Sequence, residues 1–94
     1  MDFDWDLLKE QSNFRKHGIW FDEAKTIWAD AYALEFYDDD HSDESEDRFI
    51  RIGTSLRSKI LIVVFCEKEA KDSVRIISAR KATAKERRVY EEGI

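Results

Sequence analysis

The chain has 94 residues, of which 39% are charged and 43% hydrophobic, and it contains no proline; we therefore expect one folded domain over residues 1–94 with short loops. The longest apolar run, residues 60–66, is far shorter than the roughly 20 residues that cross a bilayer, and the chain begins with acids rather than a basic leader, so we predict a cytoplasmic protein with no membrane partner. The single Cys66 excludes an internal disulfide and is predicted to pack in the core.

The net charge of −5 would ordinarily disfavour nucleic-acid binding, but the charges are segregated. Residues 38–47 hold seven acids and no Lys or Arg, which leaves 16 bases against 14 acids elsewhere. Residues 75–88 carry six bases and one acid. This second segment predicts a local basic surface, and the acidic segment is expected to be either a solvated loop or a docking site for a basic partner.

Two helices are predicted in the amino-terminal third, after a short extended segment over residues 3–6. Asp6 can cap a helix from Leu7 to about His17, which Gly18 would end in a left-handed conformation. The spacing of apolar residues then predicts a second helix over residues 22–29, with Asp22 as its cap.

Four strands and a final helix should follow. The alternating or continuously apolar segments are residues 32–37, 48–55, 59–67 and 73–80, and Thr83 opens a run of strong helix formers. The connections over 56–58 and 68–72 are too short for a crossover, so the last three strands must be antiparallel, with 59–67 in the centre. The fold class predicted is α+β, with two N-terminal helices, a four-stranded mainly antiparallel sheet and a C-terminal helix.

The usual sequence motifs of acyl transfer, nucleotide hydrolysis and redox chemistry are missing, so the prediction includes no cofactor. His41 lies among Asp38, Asp39, Asp40 and Asp43, a combination that could bind a divalent cation. The spacing matches no calcium loop, and we favour a solvated loop with no metal.

The remaining polar residues suit cleavage of RNA without a metal, which needs a proton acceptor for the 2′-hydroxyl, positive charge on the phosphorane and a proton for the leaving oxygen. Arg80, at the end of a predicted strand, could bind a phosphate, or it could simply pair with a carboxylate. His17 could transfer protons, or it could only stabilise the end of its helix. The candidates for these roles are Lys9, Lys16, His17, Arg51, Arg80, Glu86 and Tyr90.

Two groups of residues, covering positions 3 to 92 in the same order, resemble the blocks of the BrnT family, the toxins of bacterial BrnT/BrnA toxin–antitoxin pairs. The amino-terminal group is Trp5-Asp6, Lys9, Asn13, Lys16-His17-Gly18-Ile19, Phe21 and Glu23-Ala24. The second group is His41-Ser42, Arg48, Gly53-Thr54-Ser55, Arg75-Ile76-Ile77-Ser78-Ala79-Arg80, Ala82, Glu86-Arg87 and Tyr90.

The resemblance implies a RelE-like, metal-independent ribonuclease that halts translation and growth. It also implies neutralisation by a BrnA-like antitoxin, with operator DNA contacted only through the antitoxin complex. The resemblance implies that Lys9, His17 and Arg80 take part in the chemistry and that Lys16, Arg75, Arg87 and Tyr90 position the RNA. Arg51 and Glu86 are added as RNA-binding candidates on their side-chain chemistry alone. Two positions depart from the family pattern, Leu7 after Trp-Asp and Ser58-Lys59 before the central strand.

Two other functions remain open from the sequence. A catalytically inactive family member could bind its antitoxin and act only in transcriptional autoregulation. An enzyme of small phosphorylated metabolites would instead need a deep enclosed pocket.

Overall fold

A computed structural model describes residues 1–40, 42–43, 46–68 and 72–93. The predicted α+β class is confirmed, with three helices and a sheet. The elements are β1 (Asp2–Asp4), α1 (Leu7–His17), α2 (Phe21–Ala24) followed by a 3₁₀ helix (Lys25–Ala29), β2 (Leu34–Tyr37), β3 (Arg48–Thr54), β4 (Ile60–Glu67), β5 (Ser73–Lys81) and α3 (Ala84–Glu92).

The sheet has five strands in the order β1-β5-β4-β3-β2, so the prediction of four strands was wrong. Strands β3, β4 and β5 form the predicted antiparallel meander, with β4 in the centre. β2 pairs antiparallel to β3. The missed strand is β1, which pairs parallel to β5 with Asp2 opposite Ser73. Three extended residues are too few to show an alternating pattern, and their partner lies at the other end of the sequence, so no local signal marks them as part of a sheet.

The first helix is confirmed at both ends. The side chain of Asp6 accepts hydrogen bonds from the backbone N–H groups of Leu8 and Lys9, and Gly18 adopts φ of 71° at the carboxyl end. A side chain at position 18 would be strained by this left-handed backbone.

The predicted second helix over residues 22–29 is confirmed as a helical segment, but its predicted cap, Asp22, was wrong. The N-cap residue of α2 is Trp20 rather than Asp22, and its side chain makes no capping hydrogen bond. Instead, the carboxylate of Glu10 in α1 accepts a hydrogen bond from the N–H of Phe21 at 2.9 Å. The chain then tightens to the 3₁₀ helix. Phe21, Ala24 and Ile27 are fully buried, so the apolar face of this segment packs into the core.

The core lies between the sheet and the amino-terminal helices. Its buried residues come from the segment after α1 and from the facing sides of β4 and β5, namely Ile19, Phe21, Ala24, Ile27, Leu61, Val63, Phe65, Val74, Ile76 and Ala79. Cys66 is also buried, as predicted. No helix in the described ranges is long and apolar enough to cross a membrane.

Candidate active site

One candidate site is a groove between α1 and β5. Lys9, Lys16 and His17 line it from the helix, and Ile77 and Ser78 line it from the strand, around a volume of about 240 Å³. Residues seven and eight positions apart lie on the same face of a helix, so the fold of α1 itself brings the two lysines and the histidine together. The groove therefore unites three of the residues that the sequence proposed for RNA cleavage.

Asn13, in the middle of this helix face, joins α1 to β5. Its Nδ2 donates to the carbonyls of Ala79 at 2.8 Å and Ile19 at 3.0 Å, and its Oδ1 accepts from the N–H of Ala79 at 3.0 Å. Because β1 pairs with β5 only as far as Arg75, the side chain of Asn13 takes over the hydrogen bonding of this strand edge at Ala79. Asn13, which is only 6% exposed, thus fixes α1 and β5 on either side of the groove.

Arg80 lies two residues beyond Ser78 and forms a two-pronged ion pair with Glu86 of α3. Its Nη1 and Nη2 donate to the two carboxylate oxygens at 2.7 and 2.8 Å. Glu86 is also the third residue of a capping box with Thr83, which confirms that Thr83 opens α3. The hydrogen bonds from Arg80 hold the pKa of Glu86 at about 2, and the same pair raises the pKa of Arg80.

The guanidinium of Arg80 keeps donors beyond this ion pair. It has five N–H groups. Two of them bond Glu86, and a third reaches the carbonyl of Lys81 at 3.3 Å. The side chain is 39% exposed, so Arg80 is oriented by Glu86 and still accessible to an anion.

A second basic groove lies beside the carboxyl end of β5. Lys59 and Lys81 line it together with Arg87 of α3 and the backbone around Ser58 and Ala82, with a volume of about 270 Å³. Lys81 was counted in the basic segment of the sequence, but Lys59 was not singled out. Only the register that places Ile60 and Leu61 beside Thr54 and Lys81 brings Lys59 here, and no local pattern encodes it.

Two candidate arginines lie apart from these grooves. Arg75, on the same strand as Arg80 but five residues earlier, pairs with Asp4 of β1 at 3.4 Å. Arg51 is on β3, where it pairs with Glu35 at 2.7 Å and its guanidinium lies 5.2 Å from the ring centre of Trp28. The side chain of Arg51 is only 18% exposed, so its contacts lie within the fold rather than on an open surface.

Tyr90 anchors α3 to the segment before β2. Its hydroxyl donates to Oδ2 of Asp30 at 2.5 Å and lies 2.9 Å from the hydroxyl of Thr54. Burial and the hydrogen bond to Asp30 raise the pKa of the phenol. Burial would raise the pKa of Asp30 as well, but hydrogen bonds from Tyr90 and two backbone N–H groups outweigh it and lower that pKa. Tyr90 is therefore not brought together with Lys9 and His17.

A family model described as "Ribonuclease toxin, BrnT, of type II toxin-antitoxin system" matches residues 5–86. The chain belongs to the BrnT family. It is also similar to the crystal structure of the Brucella abortus ribonuclease toxin BrnT, with a TM-score of 0.65 and 27% sequence identity over 88% of this chain and 97% of the Brucella chain. No curated protein matches the sequence.

The segment that matches the BrnT family contains α1, β5 and the start of α3. Lys9, Lys16, His17, Arg80 and Glu86 thus all lie within the matched range, whereas Arg87 and Tyr90 follow it. A type II toxin implies an antitoxin partner.

Among the described residues, no three His, Cys, Asp or Glu side chains lie close enough together to hold a metal ion. His41, the imidazole of the metal alternative, lies outside the described residues.

Proposed function

We propose that this BrnT toxin is an endoribonuclease that cleaves RNA without a metal and is neutralised by a BrnA-type antitoxin. The observation that carries the proposal is the position of Arg80 along β5, between a residue that lines one basic groove and a residue that lines the other. Arg80 itself is not among the lining residues of either groove. Ser78 lines the groove of Lys9, Lys16 and His17, and Lys81 lines the groove of Lys59 and Arg87. Three residues of a strand span about 10 Å, so an RNA backbone crossing this strand end would meet cations on both sides of Arg80.

In the proposed reaction the 2′-oxygen of a ribose attacks the adjacent phosphorus, and the bond from phosphorus to the 5′-oxygen breaks. His17 or Lys9, in its neutral form, accepts the proton of the 2′-hydroxyl, and a protonated partner in the same groove supplies a proton to the leaving 5′-oxygen. Arg80 donates its remaining N–H groups to the phosphorane oxygens. The products are a 2′,3′-cyclic phosphate and a 5′-hydroxyl end.

Glu86 has a positioning role in this proposal. Its carboxylate, with a pKa held at about 2 by Arg80, stays charged at neutral pH and fixes the plane of the guanidinium. Lys16, Lys59, Lys81 and Arg87 would bind flanking phosphates. We assign Arg51, Arg75 and Tyr90 to the fold rather than to RNA, because each is engaged with a carboxylate outside the two grooves.

In the cell, the proposed toxin acts in the cytoplasm on RNA, and its cleavage stops translation and growth. The BrnA-type antitoxin binds the toxin and carries the contacts to operator DNA.

The ion pair of Arg80 with Glu86 favours one alternative, a catalytically inactive toxin that only binds its antitoxin. A guanidinium whose two terminal nitrogens already bond a carboxylate has a partner without RNA. The groove of Lys9 and His17, by contrast, opens to solvent and is unlike the deep pocket that an enzyme of small metabolites would need.

The test is incubation of antitoxin-free protein with a defined RNA in EDTA, followed by analysis of the fragment ends. Arg80→Ala should lose about 100-fold or more in cleavage rate, the usual order for a donor to a developing oxyanion. Arg57→Ala, which removes the same charge from an exposed turn, is the matched control and should cleave like the parent. Fragments that carry 2′,3′-cyclic phosphate, and that depend on Arg80, support the proposal.

Intact RNA under these conditions calls for the same assay with translating ribosomes. Failure of the parent protein in both assays overturns the proposed activity and leaves the binding module. Glu86→Gln separates the two readings of the ion pair. If Glu86 positions Arg80 for catalysis, this variant cleaves more slowly than the parent, whereas if Glu86 blocks Arg80, it cleaves faster.

A further inference from the structure

The outer edge of the sheet at β2 is open. β2 is the last strand in the order β1-β5-β4-β3-β2, and within the described residues its only strand partner is β3. The side chains of Phe36 and Tyr37 are 42% and 50% exposed, and the nearby Tyr32 is 81% exposed. This edge is therefore accessible as well as unpaired.

The register of β2 shows which backbone groups point outward. Asp38 donates its N–H to the carbonyl of Arg48 in β3 at 2.8 Å. In an antiparallel pair, every second residue makes these inward bonds. Leu34 and Phe36 therefore bond to β3, and the N–H and C=O groups of Glu35 and Tyr37 face away from the sheet.

Natural proteins usually protect such edges with Lys or another charged side chain, Pro, a bulge, a covering loop or a very short strand. β2 has only four residues and one charged side chain, Glu35, which is bonded to Arg51. The four residues of β2 include neither Lys nor Pro, and their pairing with β3 runs in continuous register without a bulge. Four outward backbone groups in two residues, beside exposed aromatic rings, form a template for another strand.

The charge next to this edge selects the kind of strand. Asp39 and Asp40 lie two and three residues after the end of β2 and are exposed, and they belong to the segment 38–47, which has seven acids and no Lys or Arg. Glu35 lies within the edge strand and has a side chain that is 40% exposed. An incoming strand with Lys or Arg side chains would meet the charges of Asp39 and Asp40 beyond the end of β2. Glu35, which is bonded to Arg51, adds an acidic group within the edge.

We propose that β2 is the docking edge for an extended basic segment of the antitoxin, which adds to the sheet as a sixth strand. This rests on the proposed function, in which an antitoxin binds this toxin. The two outward residues, Glu35 and Tyr37, exchange backbone hydrogen bonds with the added strand, and Asp39 and Asp40 pair with its basic side chains. The docking edge lies three strand spacings, about 14 Å, from β5, so it is distinct from the candidate active site.

The test uses a synthetic ten-residue peptide in which Lys or Arg alternates with Val or Thr, and amide hydrogen exchange of the full-length toxin is followed by NMR. With peptide at saturation, the amides of Glu35 and Tyr37 should exchange at least tenfold more slowly, whereas those of Leu34 and Phe36 are protected from the start. A peptide with Glu in place of the basic residues should bind at least tenfold more weakly.

A pair of variants isolates the backbone contribution. Tyr37→Pro and Tyr37→Ala both remove the ring, but only proline removes the outward N–H, which β3 does not use. Weaker binding by the proline variant than by the alanine variant supports the docking edge. If the proline variant fails to fold, the amide exchange of the parent protein still decides the matter.

Two results overturn the inference. One is the lack of any binding at about 1 mM peptide; the other is binding with no new protection at Glu35 and Tyr37, which would mean simple attraction to Asp39 and Asp40. RNA cleavage by the same preparation is scored separately. Cleavage without peptide docking refutes only the docking edge. Docking without cleavage, both on free RNA and with translating ribosomes, refutes only the nuclease.

Discussion

Replacing Asn13 by Ala should be among the most destabilising single changes in α1. The side chain makes three hydrogen bonds, to the carbonyls of Ile19 and Ala79 and from the N–H of Ala79, and it is 6% exposed. At about 1 kcal/mol for each bond, the loss is about 3 kcal/mol, because three buried backbone groups are left without partners. For a domain of this size, 3 kcal/mol lowers Tm by about 12–24 °C.

The measurement is urea denaturation of the parent and of Asn13→Ala, followed by circular dichroism. Gln11→Ala, an exposed change on the same helix, is the control for helix propensity and should alter the free energy of unfolding by less than about 0.5 kcal/mol. Asn13→Asp keeps the acceptor for Ala79 but replaces the two donors by a charge, so it should be at least as damaging as Asn13→Ala. A loss below about 1 kcal/mol for Asn13→Ala would refute the view that this side chain joins α1 to β5.

Three further changes test other contacts. Glu86→Gln should lower the free energy of unfolding by about 1 kcal/mol at pH 7, since the ion pair with Arg80 is partly exposed. The pKa of Glu86 is about 2 in the folded protein against an ordinary 4.5. The ion pair therefore stabilises the fold above pH 4.5, and urea denaturation at a series of pH values should show this stabilisation disappearing as the pH falls toward 2. Tyr90→Phe should lower the free energy of unfolding by about 1–2 kcal/mol, because the carboxylate of Asp30 loses one hydrogen-bond donor. An unchanged thermal midpoint would contradict the role of Tyr90 as an anchor of α3. Gly53→Ala should lower the free energy of unfolding by about 1–3 kcal/mol in the same urea denaturation experiments, since the new Cβ would lie 3.4 Å from the carboxylate of Asp30 and closer still to two neighbouring side chains. A variant as stable as the parent would show that these side chains move aside without a cost in stability.

The elements with local signals could be predicted from the sequence. Asp6 and Gly18 bound α1 because a cap and a left-handed residue act on adjacent backbone groups, and Thr83 opens α3 for the same reason. The continuous apolar run of β4 likewise indicated a central strand. Each of these predictions depended on residues within one turn or one strand.

Features that depend on distant residues could not be predicted in the same way. The sequence showed Arg51 as one more cation, but Trp28 and Glu35 enclose it in the fold. Lys59 joins Lys81 only through the strand register. The grouping of Lys9, Lys16 and His17 was within reach, because their spacing along one helix is visible in the sequence, but the strand that completes their groove was not.

The parallel pairing of β1 with β5 and the bonds of Asn13 to Ala79 have a consequence for the order of assembly. A chain emerges from the ribosome with its amino terminus first, so β1 and α1 wait, without their partners, until β5 has been made. The proposed active site also needs Arg80 and Glu86, which come later still. Under the proposed function, a nascent toxin would therefore have no complete site before α3 has been made, and it could not attack the messenger that encodes it until then.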